Sequence, residues 1–463
     1  MKLHETKLKD YQQQEFLSIA AKSKQEIHKL KQGQTLMTYS RIETMPDAKK
    51  ILSQATPTDR VERSKTFMDG LEYRSRIPQG MHDRGEAYVF ANHPLEEAKD
   101  HNGFRNHLPL YVRTLSIPEK TVSECEIWDI TLSTEEWGVD EKEEMYNIVN
   151  IGKLTLEKNA SVVVRGNVLI FTCQELIKKT QSENEYDIGI LGTPHGFGNR
   201  KGTHDGSNGK SGKDGLDGGN GIEPQYGANF LGKVLPSFFQ PESLDGRSGE
   251  NGEPGETGED GLNGGACRIA EVNIRSLKSP VPLVVGVISG NGGNGGDGGN
   301  GGNGGNGGNG IDAIKTYDAI IRPGLGGIGG NGGNGGNGGK AGHNGISSNV
   351  FVNIPQQSVN LVQCFSRSGK PGKPGKGGLS GQGGTGGLSG NDLKNNGESE
   401  IQKGINGKDG KDGKDGKNGK NGKDGKDGRN MPKAKIYINN LLLESILCLK
   451  RITAPYYKKK IEL

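Results

Sequence analysis

Hydrophobic and polar positions follow different periods in successive stretches of the chain. Within residues 8–32, Phe16, Ile19, Ala20, Ile27 and Leu30 fall at helical spacing, and Gly33 stands where a C-terminal cap belongs, so the pattern predicts one helix. Its lysines, Lys22, Lys24, Lys29 and Lys31, read as a solvated face. Residues 34–105 are polar, with scattered apolar positions and no sustained period; they predict mixed helix and loop. From about residue 108 the period becomes two, in LPLYVRTLSI, ECEIWDITLS and NIGKLTLEKNASVVVRGNVLIFT. These stretches are rich in Val, Ile, Leu and Thr and predict strands joined by short turns, as in a sandwich or a short solenoid.

Beyond residue 200 glycine takes over, recurring at every third position in six runs: Gly206 to Gly221, Gly246 to Gly264, Gly292 to Gly310, Gly324 to Gly345, Gly369 to Gly390 and Gly404 to Gly428. Three residues per turn is the period of polyproline II geometry, which rises about 3.1 Å per residue, so some twenty residues span roughly 60 Å. Such a rod bonds nothing internally, and its N–H and C=O groups need partners elsewhere. A collagen triple helix supplies them, and GKDGKDGKDGKNGKNGKDGKDG reads that way. The alternative is a bundle of polyglycine-II rods lying side by side, with glycine wherever two rods touch. The third and fourth runs favour the bundle, because glycine fills two positions in three there, which collagen does not require and which adds entropic cost. A rod with two glycine faces has neighbours on two sides, so these two runs are expected at the centre and the other four around them.

Strand-like text precedes the first run (YDIGILG), separates the second from the third and the fourth from the fifth, and follows the last. If consecutive rods are antiparallel, all of that text gathers at one end. Val272-Asn273-Ile274, Val352-Asn353-Ile354 and Ile436-Tyr437-Ile438 recur within it as the starts of strand pairs. The expected architecture is therefore mainly β with a polyglycine-II helix bundle: a β-sandwich or short solenoid base, three antiparallel glycine-rich hairpins and a small helical N-terminal region. Its divisions are 1–105, polar and partly helical; 106–199, β-rich; 200–430, the glycine bundle with interspersed strands; and 431–463, a strand pair rejoining the base.

The opposite ends are three tips, at 222–245, 311–323 and 391–403. Aromatic and aliphatic residues on loops of a rigid scaffold favour recognition, which marks Tyr226, Phe230, Phe238, Phe239, Tyr317, Ile320 and Ile321 as candidate binding residues. The plainer reading is that they close the bundle's end as a small core. Glu250, Glu253, Glu256 and Glu259 form an acidic ladder on the second run, and Lys370, Lys373 and Lys376 a basic one on the fifth. Such ladders set register if they face each other and are otherwise ordinary solvated surface.

Composition narrows the function. There are 79 glycines and 5% aromatic residues, too little apolar material for a conventional core throughout. The net charge of +4 arises from 59 basic and 55 acidic residues and gives no electrostatic reason to expect nucleic acid as a partner. No apolar stretch approaches the eighteen or so residues of a membrane span. The N-terminal text, whose longest apolar run is FLSIAA, lacks a secretory signal, so a cytoplasmic location or release by a non-classical route is expected. The cysteines, Cys125, Cys173, Cys267, Cys364 and Cys448, are odd in number and widely spaced, as in a reduced compartment.

Chemical motifs are weak. GGNGIDAIK at 307–315 matches a calcium-binding nonapeptide once, where tandem copies are needed. HDGSNGKS ends like a phosphate loop but has His204 in place of the first glycine. His93, His101 and His107, near Glu96 and Asp100, fit no zinc spacing. No enzymatic activity, cofactor or metal is expected.

The GGNGGNGGNGGNG and GGIGGNGGNGGNGG runs resemble those of polyglycine-II bundle proteins: the tip adhesins of T-even-like phage tail fibres and, more weakly, the snow-flea antifreeze protein. In the adhesins such rods form a stiff platform whose distal loops contact a receptor, so the resemblance implies binding at the tips. This chain differs in its long N-terminal region and intervening strands. The antifreeze likeness implies a flat ice-facing surface, against which the exposed Lys, Asp and Glu stand. The functional expectation is a non-enzymatic structural or adhesive protein with an unknown macromolecular or surface partner. Its alternatives are a self-assembling filament or coat component, a collagen-like trimer, or a ligand-binding or enzymatic β domain with decorative rods.

Overall fold

The computed structural model describes residues 8–52, 108–138, 145–193, 205–235, 240, 244–317, 320–393, 417, 419–420 and 422–445. The N-terminal helical text forms two helices, α1 (Asp10–Lys22) and α2 (Ile27–Lys31), and not one. The break falls at Lys24, whose φ is 57°: its N–H bonds to the Ala21 carbonyl and that of Gln25 to the Ala20 carbonyl, a left-handed C-terminal cap that periodicity alone does not reveal. Gly33, at φ 85°, ends α2 the same way, with Gln34 N–H on Lys29 O.

Within the text expected as mixed helix and loop, a strand also forms. Leu36–Ile42 forms strand β1 and Met45–Leu52 helix α3. Leu-Met-Thr-Tyr-Ser-Arg-Ile does not alternate in hydrophobicity, because its two faces are only half-buried and exposed, and pairing with the next strand is what holds it extended.

Among the described residues fourteen strands build the base: after β1, β2 (Leu110–Val122), β3 (Ile127–Asp129), β4 (Met145–Leu156), β5 (Ser161–Arg165), β6 (Val168–Lys178) and β7 (Ile188–Leu191) come first. Two short strands, β8 (Gly227–Asn229) and β9 (Gly232–Val234), lie in the first tip, and β10 (Ala270–Ile274), β11 (Leu277–Lys278) and β12 (Leu283–Ile288) return to the base. The second tip holds β13 (Ile314–Lys315) and β14 (Ile320–Ile321); β15 (Val350–Asn353), β16 (Val362–Arg367), β17 (Ile436–Ile438) and β18 (Leu441–Leu442) complete the order. One sheet runs β1-β2-β4-β6-β10-β15-β17-β18 with β11 beside β6, and the other β16-β12-β7-β5-β3.

All neighbours from β2 to β17 in the first sheet, and all in the second, are parallel. The chain visits the sheets in alternation, so of the two expected forms the base is a short solenoid. Alternating residues face inward: Val149, Phe171, Val272 and Val352 of the first sheet meet Val162, Ile188 and Val285 of the second in one buried cluster. On the outer face, Ile148, Ile170 and Phe351 pack with Ile19, Ala48 and Leu52 of the helices. The Val-Asn-Ile repeat follows this pattern. Val272 pairs with Val352 and Asn273 with Asn353, whose side chains bond at 2.7 Å. Val352 pairs with Ile438 and not Ile436, so the third copy is displaced by two residues, which leaves every side chain on its expected face.

Three passages from the second sheet to the first are interrupted by pairs of glycine runs, after β7, β12 and β16. Among the described residues these runs contain no helix or strand, and their backbone groups bond to one another. In the third run, Gly295 N–H bonds to Lys373 O of the fifth run at 2.9 Å and Gly296 N–H to Glu259 O of the second at 2.9 Å. Asp297 N–H bonds to the Asn208 side-chain oxygen of the first run at 2.8 Å. The carbonyl of Gly296 in turn accepts from Gly339 of the fourth run at 2.8 Å. The fourth run is surrounded equivalently by the second, third, fifth and sixth. The first, third and fifth runs thus form one row and the second, fourth and sixth another, continuing the neighbour orders of the two sheets from which they emerge.

Candidate recognition surface

Why asparagine fills the third slot of Gly-Gly-Asn follows from this geometry. Asn294, Asn300, Asn303, Asn306 and Asn309 each accept, through Oδ1, the backbone N–H of the matching residue in the fifth run, at 2.8–3.0 Å. Asn331, Asn334 and Asn337 do the same for Lys417, Lys420 and Lys423. A glycine has no such oxygen, and Asp297 supplies it in the same way to the Lys376 N–H at 2.7 Å. At the two glycine slots a Cβ would collide with a carbonyl, as on Gly298 with that of Gly336 and on Gly299 with that of Lys210.

The acidic ladder is also a set of caps. Glu253 and Glu256 accept the N–H groups of Lys213 and Lys210 at 3.3 Å, and Glu259 accepts from the Ser207 backbone and hydroxyl. The bond from the Ser207 hydroxyl holds the Glu259 carboxyl below its ordinary range. It does not face the basic ladder, because the second run bonds to the first, third and fourth and the fifth run to the third, fourth and sixth. The prolines fit the same scheme. Pro374 occupies the slot of Gly377, whose N–H goes to the Asp424 side chain and not to a neighbouring backbone. Pro254 holds a slot, like that of Thr257, that contributes no backbone donor.

At the far end, β8 and β9 form an antiparallel pair with Phe230 and Leu231 at its turn. Phe230 is 95% exposed and Leu231 47%. The Asn229 side chain accepts Leu231 N–H at 2.9 Å, and Gly232 takes φ 132°, a conformation closed to most side chains. Lys233 Nζ lies 4.6 Å from the centre of the Tyr226 ring, and Lys233 O accepts Tyr317 N–H at 3.1 Å, joining the first tip to the second. In the second tip, β13 pairs with β14; Ile314 and Thr316 are buried, Tyr317 is 64% exposed, Ile320 exposed and Ile321 half-buried. Arg322 makes a two-pronged pair with Asp245 at 3.1 Å. Burial opposes ionisation of Asp245, yet Arg322 and the Leu325 N–H together hold its carboxyl below the ordinary value.

The structure therefore brings Tyr226, Phe230, Tyr317, Ile320 and Ile321 to one end of the runs, whereas Phe238, Phe239 and most of the third tip lie outside the described residues. Among the described residues the buried apolar side chains at that end are Leu244 and Ile314, whereas Tyr226, Phe230 and Tyr317 are not buried. Sequence reasoning missed Asn229, Leu231 and Lys233, which are ordinary loop residues until the turn is seen. It also missed Leu325 and Ile328, although both stand in slots that asparagine otherwise fills.

Among the described residues no group of three or more His, Cys, Asp or Glu is placed to hold a metal ion, and no helix is long and apolar enough to cross a membrane. His93, His101 and His107 lie outside them. No family model and no curated protein matches the chain. A solved nine-helix polyproline type II bundle, the springtail antifreeze protein from Granisotoma rainieri, matches at 28% identity over 33% of this chain and 95% of its own. Its TM-score of 0.06 carries no argument about fold or function.

Proposed function

We propose that the six runs are polyglycine-II rods packed as three antiparallel hairpins in one bundle, and that the bundle is the stiff spacer of a non-enzymatic adhesive protein whose tips are its binding surface. The run-to-run bonds within one chain support a monomeric bundle over a three-chain collagen-like helix. The observation that carries the functional reading is Phe230: a large aromatic side chain 95% exposed, on a turn pinned by Asn229, Gly232, Lys233 and Tyr317. A rigid, exposed aromatic gives up little conformational freedom on binding and is the kind of residue that dominates interfaces.

The test has two parts. Circular dichroism of the monomer is expected to show polyproline II signal, and amide exchange across 290–345 to be slow; fast exchange there removes the spacer. Immobilised intact protein is then challenged with arrays of proteins, glycans and lipids, beside Phe230→Ser and Tyr317→Ser variants. The reading requires at least one surface bound by the parent and lost by the variants; binding unaltered by both substitutions moves the site elsewhere.

A further inference from the structure

We infer that the far end of the glycine bundle docks end-on into the interfacial layer of a phospholipid membrane. This rests on the tips being the binding surface and names what they bind. The outer slots of the runs change character along their length. Toward the base they carry Lys370, Lys373, Glu259 and Lys340; toward the tips they carry Leu216, Leu325, Ile328 and Leu388, exposed by 69%, 40%, 52% and 64%, beside the exposed Asp217 and Arg247. Leu262, near the base, stands against the trend, and Leu379 lies at mid-length.

The distal apolar residues lie on several sides of the described rod end, with the exposed Arg247 of the second run between them. Leu388 lies on the outer side of the row formed by the first, third and fifth runs, its N–H capped by Asn309. Leu325 lies on the outer side of the other row, its N–H capped by Asp245, and Leu216 sits at the first-run edge. A folded partner touches one side of a post, whereas a fluid apolar layer wets its whole circumference. Beyond this collar projects the Phe230–Leu231 turn. Tyr226, Tyr317, Lys233 and Lys315 flank it, and rings with a polar end and lysines with a long apolar stem favour the membrane–water boundary.

Backbone chemistry limits the depth. The N–H groups of Asn208, Asp214 and Asp217, on the outer edge of the first run, bond to no group among the described residues, and such groups cannot leave water cheaply. Insertion therefore stops at the turn and the collar, and it is reversible.

The experiment is flotation of the full chain with phosphatidylcholine vesicles, which contain no protein and no net charge. The parent is expected to float with the vesicles at low and high salt. Phe230→Asp with Leu231→Asp is expected to lower the partition coefficient roughly tenfold or more, the scale set by withdrawing two large apolar side chains from the layer. Ile328→Asn with Leu388→Asn is expected to weaken binding severalfold; it introduces at these slots the residue found in adjacent repeats, and so keeps the bundle. Absence of flotation by the parent, or flotation unchanged in the turn variant, overturns the inference. If the parent ignores vesicles but binds a protein or glycan surface through Phe230, the lipid inference falls and the adhesive reading stands. If Phe230 matters to neither, both fall.

Discussion

In the base, neighbouring segments are held in register by what their side chains do on two faces; in the central glycine runs, by side chains being absent from two slots of three. Val272 and Val352 pair because both fill the interior. Gly299 and the first run meet because neither has anything to put between the Gly299 backbone and the Lys210 carbonyl. Burial of apolar surface stabilises the base, whereas the runs depend on hydrogen bonds worth only about 1 kcal/mol each in net terms and offset the freedom glycine loses by making many of them. The two regions should accordingly fail for different reasons.

The largest effect is expected in the base. Lys178 and Asp187, both 2% exposed at the side chain, pair at 2.6 Å, and Lys178→Met leaves the carboxylate buried without its counter-charge. A loss of about 3–5 kcal/mol is expected in denaturant unfolding followed by near-ultraviolet dichroism. In the runs, Gly299→Ala should cost about 2–3 kcal/mol by overpacking. Gly219→Ala, with open space around its Cβ position, should be neutral within about 0.5 kcal/mol. Equal costs at the two glycines, read by local amide exchange, would mean that packing between runs does not select glycine. Asn303→Leu strands the Gln382 N–H and should cost about 1 kcal/mol, whereas Asn303→Asp keeps the acceptor and should cost almost nothing.

Acid sharpens the contrast more gently. Glu259, Asp260 and Asp245 have carboxyls lowered from their ordinary values, chiefly by the Ser207 hydroxyl for Glu259, the Lys340 N–H for Asp260, and Arg322 and the Leu325 N–H against burial for Asp245. A lowered carboxyl contributes stability that is present above the usual carboxylate range and lost as pH falls through the folded value. Amide exchange near the second run should therefore quicken below about pH 4, while the apolar core of the base stays protected. The smallest effect is chemical: burial pushes the Cys364 thiol up to about 12 and Cys173 further, so alkylation at pH 8 should label the exposed Cys125 before either.

Much of this division was legible in the residues. The period of two announced the base, and the interspersed strand text marked where the chain returns to it. What periodicity could not supply was local capping and register. Lys24 splits the first helix because the backbone turns left-handed there, which nothing about lysine suggests. That Ile436 pairs with Val350 and not with Val352 came from pairing between distant segments. The tips were legible only as a cluster of aromatics. That Phe230 stands exposed while Leu244 is buried depends on a turn fixed by an asparagine oxygen and a glycine, a matter of a few atoms.

The runs of each row extend the strand order of the sheet they leave, and their partners advance three residues at a time. Such a molecule can be resized but hardly edited. One extra triplet in a single run would shift every cap beyond it onto the wrong rung, whereas a triplet added to all six would lengthen the post and leave each contact intact. A further winding of the base with its own pair of runs would thicken it. Reach and girth are thus independent quantities here, one counted in triplets and the other in turns of the base.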